Sequence, residues 1–504
     1  MLDLPALISA VLKIDPTAPA MEFEGRWESW GGLATRMGEI DRLIGSLGLD
    51  AETRVGIMLR NRLPHLAALY TLIATERCMV TLNPMYPEAV LVQEISRLEL
   101  PLIIGGAADL ARDGIVEAAR EVGTALVALP EPWRGEAEII LAPNDRTRLA
   151  RAAPGVMIEM LTSGTTGLPK RVSLTRQAFE HSFATTLKAE GALDAPPTLR
   201  PGIQISAAPL THIGGVWGSL TAICLGRKLV LIEKFEVAVW LDAIVRHQPR
   251  SAALTAAALR MVLDANVSRE ALSSLAAITA GAAPTDPAIV DAFRERYGIP
   301  VLTNYGATEF AGPVARWSLA DFEVLWAEKR GSVGRLHHNV EARIVDDTSD
   351  AVLPPGKEGV LELRSPQLID PRGWLRTSDR ARIDGDGFLW VTGRADGVII
   401  RGGFKVSPEE VVQALEAHPS IREAVVVGVP DARLGRVPAA AIMLARGASP
   451  PSDAELSEFL RFSLAPYQIP VRFALMDDVP RTASMKPVLP EIVRLLSGDT
   501  SSPH

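Results

Sequence analysis

Between residues 155 and 304 the chain alternates short apolar runs with longer segments in which apolar side chains recur every three or four positions. The runs cover 156–160, 203–207, 228–232, 252–255, 276–280 and 300–303, and segments such as 237–247 and 286–297 carry the helical period. Apolar runs of that length bounded by helical segments predict βαβ units on one mostly parallel sheet. An earlier stretch repeats the theme, with a run at 54–59, a helical segment at 63–74 and a run at 79–82. From residue 341 the pattern shortens to strand-like runs at 342–345, 360–363 and 388–391. Turn signals such as Pro354-Pro355-Gly356 and Asp384-Gly385-Asp386-Gly387 separate them, which predicts a smaller β-rich region.

Near the end, Ser407-Pro408-Glu409-Glu410 joins an N-cap serine, a proline at the first helical position and a glutamate three residues after the cap, so a helix is expected from Pro408. Ser452-Asp453-Ala454-Glu455 opens another in the same way, and strand-like runs at 424–429 and 439–444 lie between them. The fold class expected is α/β: a large N-terminal domain of layered α/β sheets with a β-rich subdomain, residues 1–393, then a small α+β C-terminal domain, residues 394–504.

Composition narrows the functions rather than the fold. The 504 residues are 47% hydrophobic and 22% charged with a formal charge of −8, the make-up of an ordinary globular protein. No run of Lys and Arg offers a nucleic-acid surface, so nucleic acid is not an expected partner. Cys78 and Cys224 stand far apart with no His cluster at ligand spacing, which argues against structural zinc and a disulfide framework. No window reaches the roughly 18 apolar residues of a membrane span, and residues 1–14 lack the basic start of a secretory signal. A cytoplasmic protein without a membrane span is expected. A homodimer is left open.

The densest chemical signal is Leu161-Thr162-Ser163-Gly164-Thr165-Thr166-Gly167-Leu168-Pro169-Lys170, directly after an apolar run. Small and hydroxylated residues let backbone N–H groups close around a phosphate, and a lysine adds a point charge. The common Gly-Lys-Ser/Thr phosphate loop has different spacing. An inert surface loop is the competing reading.

With the motifs that follow it, the chain resembles the adenylate-forming enzymes, the family of acyl-CoA synthetases, firefly luciferase and peptide-synthetase adenylation domains. These are Pro209-Leu210-Thr211-His212, Asn304-Tyr305-Gly306-Ala307-Thr308-Glu309, Trp374-Leu375-Arg376-Thr377-Ser378-Asp379, Gly393-Arg394-Ala395-Asp396, Arg401-Gly402-Gly403-Phe404-Lys405-Val406 and Pro480-Arg481-Thr482-Ala483-Ser484-Met485-Lys486. The resemblance implies activation of a carboxylic acid with ATP and Mg2+, giving acyl-adenylate and pyrophosphate, then transfer of the acyl group to coenzyme A. It implies that Lys486 bridges acid and α-phosphate, that Glu309 and Thr165 serve magnesium, that Asp379 accepts from the ribose hydroxyls and that Arg394 lies beside ribose and phosphate. Thr162, Ser163, Gly164, Thr165, Thr166, Gly167 and Lys170 would hold the phosphates. Adenine would lie between Gly281-Ala282-Ala283-Pro284 and Tyr305, with Asn304, Gly306 and Thr308 in the same motif. His212 would stand at the mouth of the carboxylate pocket.

The pocket implied draws on Ile213, Gly214, Trp217, Gly218 and Phe310, none of them charged, which favours an apolar fatty, alicyclic or aromatic acid over an amino acid or a dicarboxylate. Gly214 and Gly218 stand one helical turn apart, leaving room for an acyl group or allowing close helix packing. Gly402, Gly403, Phe404 and Lys405 belong by resemblance to the thioester-forming arrangement, reached by rotation of a mobile C-terminal domain about Asp396. An amide synthetase with an amine acceptor is the alternative. Three departures put local backbone shape in question, since Arg171, Ser378 and Met485 stand where the family has glycine.

Overall fold

In the computed structural model, the described residues are 2–162, 170–282, 285–346, 349–368, 370–394, 398–480 and 489–497. The strands among them form five sheets. The largest has seven strands in the order Glu138–Leu141, Ala125–Leu129, Leu102–Gly106, Arg54–Met58, Cys78–Leu82, Val156–Thr162 and Lys170–Thr175. Its inner strands are parallel and both edge strands antiparallel. Every residue of Cys78–Leu82 and of Ala125–Leu129 is buried. Helices cover both faces of such a sheet, so its strands are apolar without alternation.

A second sheet sets Ser251–Leu254, Ala277–Ala280 and Val301–Ala307 in parallel, then adds Gly312–Arg316 and Arg335–Leu336 antiparallel. A third places Pro19–Phe23 and Arg26–Ser29 beside Arg227–Leu231 and Arg200–Ser206. The six runs expected on one sheet therefore fall in three. Parallel pairing is kept within each, but an apolar run specifies a buried strand and not its partner, and residues near 20 pair with residues near 230.

The β-rich region is an antiparallel meander, Glu341–Val345, Gly359–Arg364, Leu375–Ile383 and Leu389–Arg394. The C-terminal unit follows as its own α+β layer. Its sheet runs Phe404–Val406, Ile399–Arg401, Gly435–Leu444, Ile421–Asp431, with Phe473–Leu475 pairing on Gly435–Leu444. Helices Pro408–Glu416 and Asp453–Leu460 pack against it. Both expected caps form: the Ser407 hydroxyl accepts from Glu410 N–H, and Ser452 with Glu455 completes a reciprocal capping box. Among the described residues no helix is long and apolar enough to cross a membrane.

Candidate active site between the two units

The strand Ala277–Ala280 runs out into Gly281 and Ala282, and Ala282 adopts φ 66° although it is not glycine. The next parallel strand holds this exit. Asn304 Nδ2 donates to the Ala280 carbonyl at 3.0 Å, and a Cβ on Gly281 would come within 2.5 Å of Asn304 Oδ1. Gly281 is bare because the Asn304 amide occupies its side-chain space. One residue on, the Tyr305 hydroxyl donates to Asp379 Oδ2, and its ring lies tilted against Phe310 at 5.7 Å between centroids. Asp379 is a buried carboxylate in Leu375–Ile383, its backbone N–H donating to Thr377 Oγ1 at 3.1 Å, and its cross-strand partner is Arg394. The structure thus brings Gly281, Ala282, Asn304, Tyr305 and Asp379 together from three segments distant in sequence.

Thr308–Phe310 forms a single tight turn ended by Ala311 at φ 51° and by Gly312. Gly306 is kept bare by the Gly312 carbonyl, which a Cβ would meet at 2.7 Å. The turn presents Glu309, whose Oε2 is buried and has no hydrogen-bond partner among the described residues. An ionised oxygen excluded from water costs several kcal/mol unless a cation or donor meets it. Among the described residues no group of three His, Cys, Asp or Glu gathers as a metal cage. A lone hard carboxylate of this kind fits Mg2+, which is commonly held by one or two carboxylates together with substrate phosphates.

His212 is the N-cap residue of helix Ile213–Cys224, but its side chain makes no capping bond and is left to the cleft. Burial pushes its pKa down to about 4, helped by the Lys405 ammonium, so the imidazole is neutral at physiological pH. The Phe404 ring meets it edge-on at 4.7 Å between centroids and stacks on Tyr467 at 4.4 Å. Beside it, a Cβ on Gly403 would lie 3.7 Å from Thr255 Cγ2 and 3.9 Å from Ala282 Cβ. Residues 402–405 of the C-terminal unit are therefore seated in the cleft between the His212 and Ala282 segments.

On the same helix, Trp217 stacks almost parallel on Phe183 at 5.6 Å, and its Nε1 donates to Ser182 Oγ at 3.1 Å. Gly312 leaves space for the indole edge, because a Cβ there would approach Trp217 Nε1 to 2.7 Å. Ser182 and Phe183, on helix Arg176–Ala189, belong to no motif read from the sequence; Phe179 and Phe183, four apart, are both buried on that helix, a spacing that signals a buried face without pointing to this wall. A Cβ on Gly214 would meet nothing within 4 Å, whereas one on Gly215 would strike the Pro209 carbonyl at 2.2 Å. Close packing is thus the task of Gly215, and Gly214 borders open space. Gly218 lies near the Gln204 amide. Ile213 is partly buried against the main core, and Phe310 is buried with Val314, Leu361 and Leu363.

Ser163, Gly164, Thr165, Thr166, Gly167, Ala283, Asp396 and Lys486 lie outside the described residues, as does the departure Met485. Thr162, Lys170 and Arg394 are described only as strand backbone. Arg171 sits inside strand Lys170–Thr175, where its guanidinium donates to the carbonyls of Thr81 and Glu159 and to Glu94 Oε2 at 2.8 Å. This departure from glycine ties three elements together and keeps strand register. Ser378 lies in Leu375–Ile383 where its pairing with Gly359–Arg364 shifts register, between Arg376 opposite Glu362 and Arg380 opposite Val360, so the backbone is irregular at this departure.

Residues 10–370 match the model of the AMP-binding enzyme family, and residues 410–486 match that of the AMP-binding enzyme C-terminal domain. A 4-coumarate–CoA ligase-like protein of Arabidopsis thaliana is 30% identical over 67% of this chain and 61% of its own length. A 2-succinylbenzoate–CoA ligase of Bacillus subtilis is 32% identical over 65% of this chain and 66% of its own. The match thus spans less than two thirds of either relative. Among solved structures, an amide bond synthetase from Marinactinospora thermotolerans shares the fold with TM-score 0.82, 26% identity and coverage of 97% of this chain and 99% of that one. An o-succinylbenzoate CoA synthetase from Bacillus subtilis, bound with a product analogue, gives TM-score 0.81 at 24% identity over 97% and 98%. In complex with its acyl-adenylate intermediate it gives 0.65 over 99% of each chain.

Proposed function

The chain belongs to the AMP-binding enzyme family, and on that premise we propose that it is an ATP-dependent carboxylic acid:coenzyme A ligase that forms acyl-AMP and pyrophosphate and then acyl-CoA and AMP. The observation that carries the reading is the seating of residues 402–405 in the cleft, with Phe404 against His212. On this reading a glycine hairpin of the C-terminal unit would lie where an acyl carbonyl and an incoming thiol meet.

In the first half-reaction the acid's carboxylate attacks the α-phosphate and pyrophosphate leaves. Asp379 and Tyr305 would fix the ribose, and backbone at Gly281 and Ala282 would lie against adenine, while residues 162–170 would hold the departing phosphates. Glu309 and Thr165 would hold Mg2+, which supplies charge neutralisation of the phosphates when bound. Lys486 would neutralise the charge gathered between two anions. In the second, the thiol displaces AMP at the carbonyl from the side Lys486 has vacated. A C-terminal domain of residues 394–504, turning about Asp396, would provide that vacancy. The higher similarity to the product-analogue complex than to the acyl-adenylate complex of one synthetase supports this arrangement.

The Trp217 face, bare Gly214 and absence of charge along this helix favour an apolar acid, aromatic or aliphatic. A cytoplasmic location belongs to the same reading, resting on the two unpaired cysteines. An amine acceptor is the second reading, favoured by the likeness to the amide bond synthetase. Pyrophosphate exchange across a panel of acids, repeated with coenzyme A and with simple amines while products are followed by mass, tests both. Acid-dependent exchange with AMP and thioester as products is expected. ATP turnover to ADP and phosphate would remove the reading, and amide without thioester would select the alternative.

A further inference from the structure

A buried amide that belongs to none of the motifs holds the turn carrying His212. Asn61 lies between strand Arg54–Met58 and helix Leu63–Ala74 and is 5% exposed. A primary amide brings two N–H donors and a carbonyl acceptor into the interior, where leaving any of them unpaired is destabilising. Asn61 pairs them all. Its Nδ2 donates to the carbonyls of Ala208 at 3.0 Å and Ile232 at 3.2 Å, and its Oδ1 accepts from Leu210 N–H at 2.9 Å. Those partners lie just past the ends of two neighbouring parallel strands, Arg200–Ser206 and Arg227–Leu231. One side chain following a strand of the seven-stranded sheet thus ties two strand exits of another sheet, 147 and 171 residues away in sequence.

The tie falls on the turn that leads into helix Ile213–Cys224. Ala208 and Leu210 flank Pro209, whose carbonyl accepts from His212 N–H at 3.0 Å, and the His212 carbonyl accepts from Gly215 and Val216 N–H. Leu210 is also buried in the main core. Helix Leu63–Ala74, buried from Leu63 to Ile73, takes a second hold on the same helix where the Tyr70 hydroxyl donates to the Ser219 carbonyl at 2.7 Å. The His212 side chain makes no capping bond to steady itself. Its place in the cleft is therefore set by the backbone of the turn, and Asn61 fixes that backbone on both sides of Pro209.

We propose that Asn61 is a positioning residue for the acid: through residues 208–212 it sets His212 beside the carboxylate being activated, with no part in binding ATP. The inference rests on the ligase reading, in which His212 borders the acid. Two measurements test it. One is acid-dependent pyrophosphate exchange, with KM for acid and for ATP determined apart. The other is carbon–proton NMR of the imidazole rings, in which the signal missing from His212→Gln is that of His212.

Asn61→Asp keeps the size and the acceptor and loses both donors, and Asn61→Ser avoids a buried carboxylate should the first variant fail to fold. For either, kcat/KM for the acid is expected to fall about 10- to 100-fold, the range for misplacing a group at the reacting centre by about 1 Å, with KM for ATP within about twofold of wild type. In the His212→Gln background the same substitution should cost no more than about twofold, because a residue acting through another is not additive with it. The His212 ring signal should move while that of His418, in the C-terminal unit, stays. A loss of the same size with and without His212, a rise in KM for ATP as large as the effect on the acid, or an unmoved His212 signal in a folded variant would overturn the proposal. Wild-type enzyme without acid-dependent exchange would instead overturn the ligase reading, and the ring signal would still decide whether Asn61 holds His212.

Discussion

The two halves of the cleft are held together by different means. On the nucleotide side, each group is fixed by a partner in the same large domain: Gly281 by Asn304, Tyr305 by Asp379, and Asp379 by its own strand. On the acyl side, the hairpin at 402–405 meets His212, Thr255 and Ala282 through ring and van der Waals contacts. Ring contacts of this kind are each worth about 1 kcal/mol, and they can be broken without leaving a buried charge. On the proposed reading the first half stays and the second leaves, so groups on the first should serve both half-reactions and groups on the second only one.

The comparison breaks hardest at the C-terminal domain's own charge. Lys486→Ala should lower adenylation by about 10²- to 10³-fold, the range for removing one transition-state donor, while thioester formation from preformed acyl-adenylate survives. Rates for both steps check it, and an undiminished adenylation rate would mean that Met485 has displaced the lysine. Asp379→Asn should act on both steps. Loss of charge-assisted bonds to the ribose is expected to cost about 10- to 100-fold in kcat/KM for ATP and a similar factor in affinity for acyl-adenylate. Asp396→Pro fixes φ near −65° and should leave adenylation largely intact while thioester formation falls about tenfold, as for a blocked conformational step. Equal loss of both steps would point to misfolding instead.

The smallest effect concerns His212. Burial lowers its pKa to about 4 from 6.5, so as pH falls the unfolded chain takes up the proton first. Stability from the neutral ring is complete above about 6.5 and declines as pH falls to about 4. His65 and His337 are lowered the same way, so the wild type must be compared with His212→Gln. The variant should show a shallower fall in Tm between these limits. A tenfold difference in proton affinity between the folded and unfolded chain is worth about 1.4 kcal/mol, within reach of a thermal-melt series.

Much of this was legible in the sequence because local chemistry announces itself. Ser407 and Ser452 marked their helices through capping patterns, and Asp379, Glu309 and Tyr305 stood in motifs with distinctive order. The partition of runs among three sheets was not legible, since Pro19–Phe23 finds its partner about two hundred residues away. Ser182, 35 residues from Trp217 along the chain, was hidden for the same kind of reason. A motif can name a residue's chemistry, but a contact between two unremarkable residues exists only in the fold. Arg171 shows the converse: a departure that looked disruptive became a buried tie between strands.

The central claim, that the hairpin must leave the cleft for adenylation, can be tested by preventing it from leaving. A Cβ on Gly402 would lie 3.8 Å from that of Ala257, the usual separation across a disulfide. The native Cys78 and Cys224 are both buried, so a Gly402→Cys, Ala257→Cys pair would be selectively oxidised. Pyrophosphate exchange by this variant, measured without coenzyme A before and after reduction, is the direct measurement. The account predicts that exchange is lost in the oxidised protein and returns on reduction. Equal exchange in the fully oxidised and the reduced protein would contradict it.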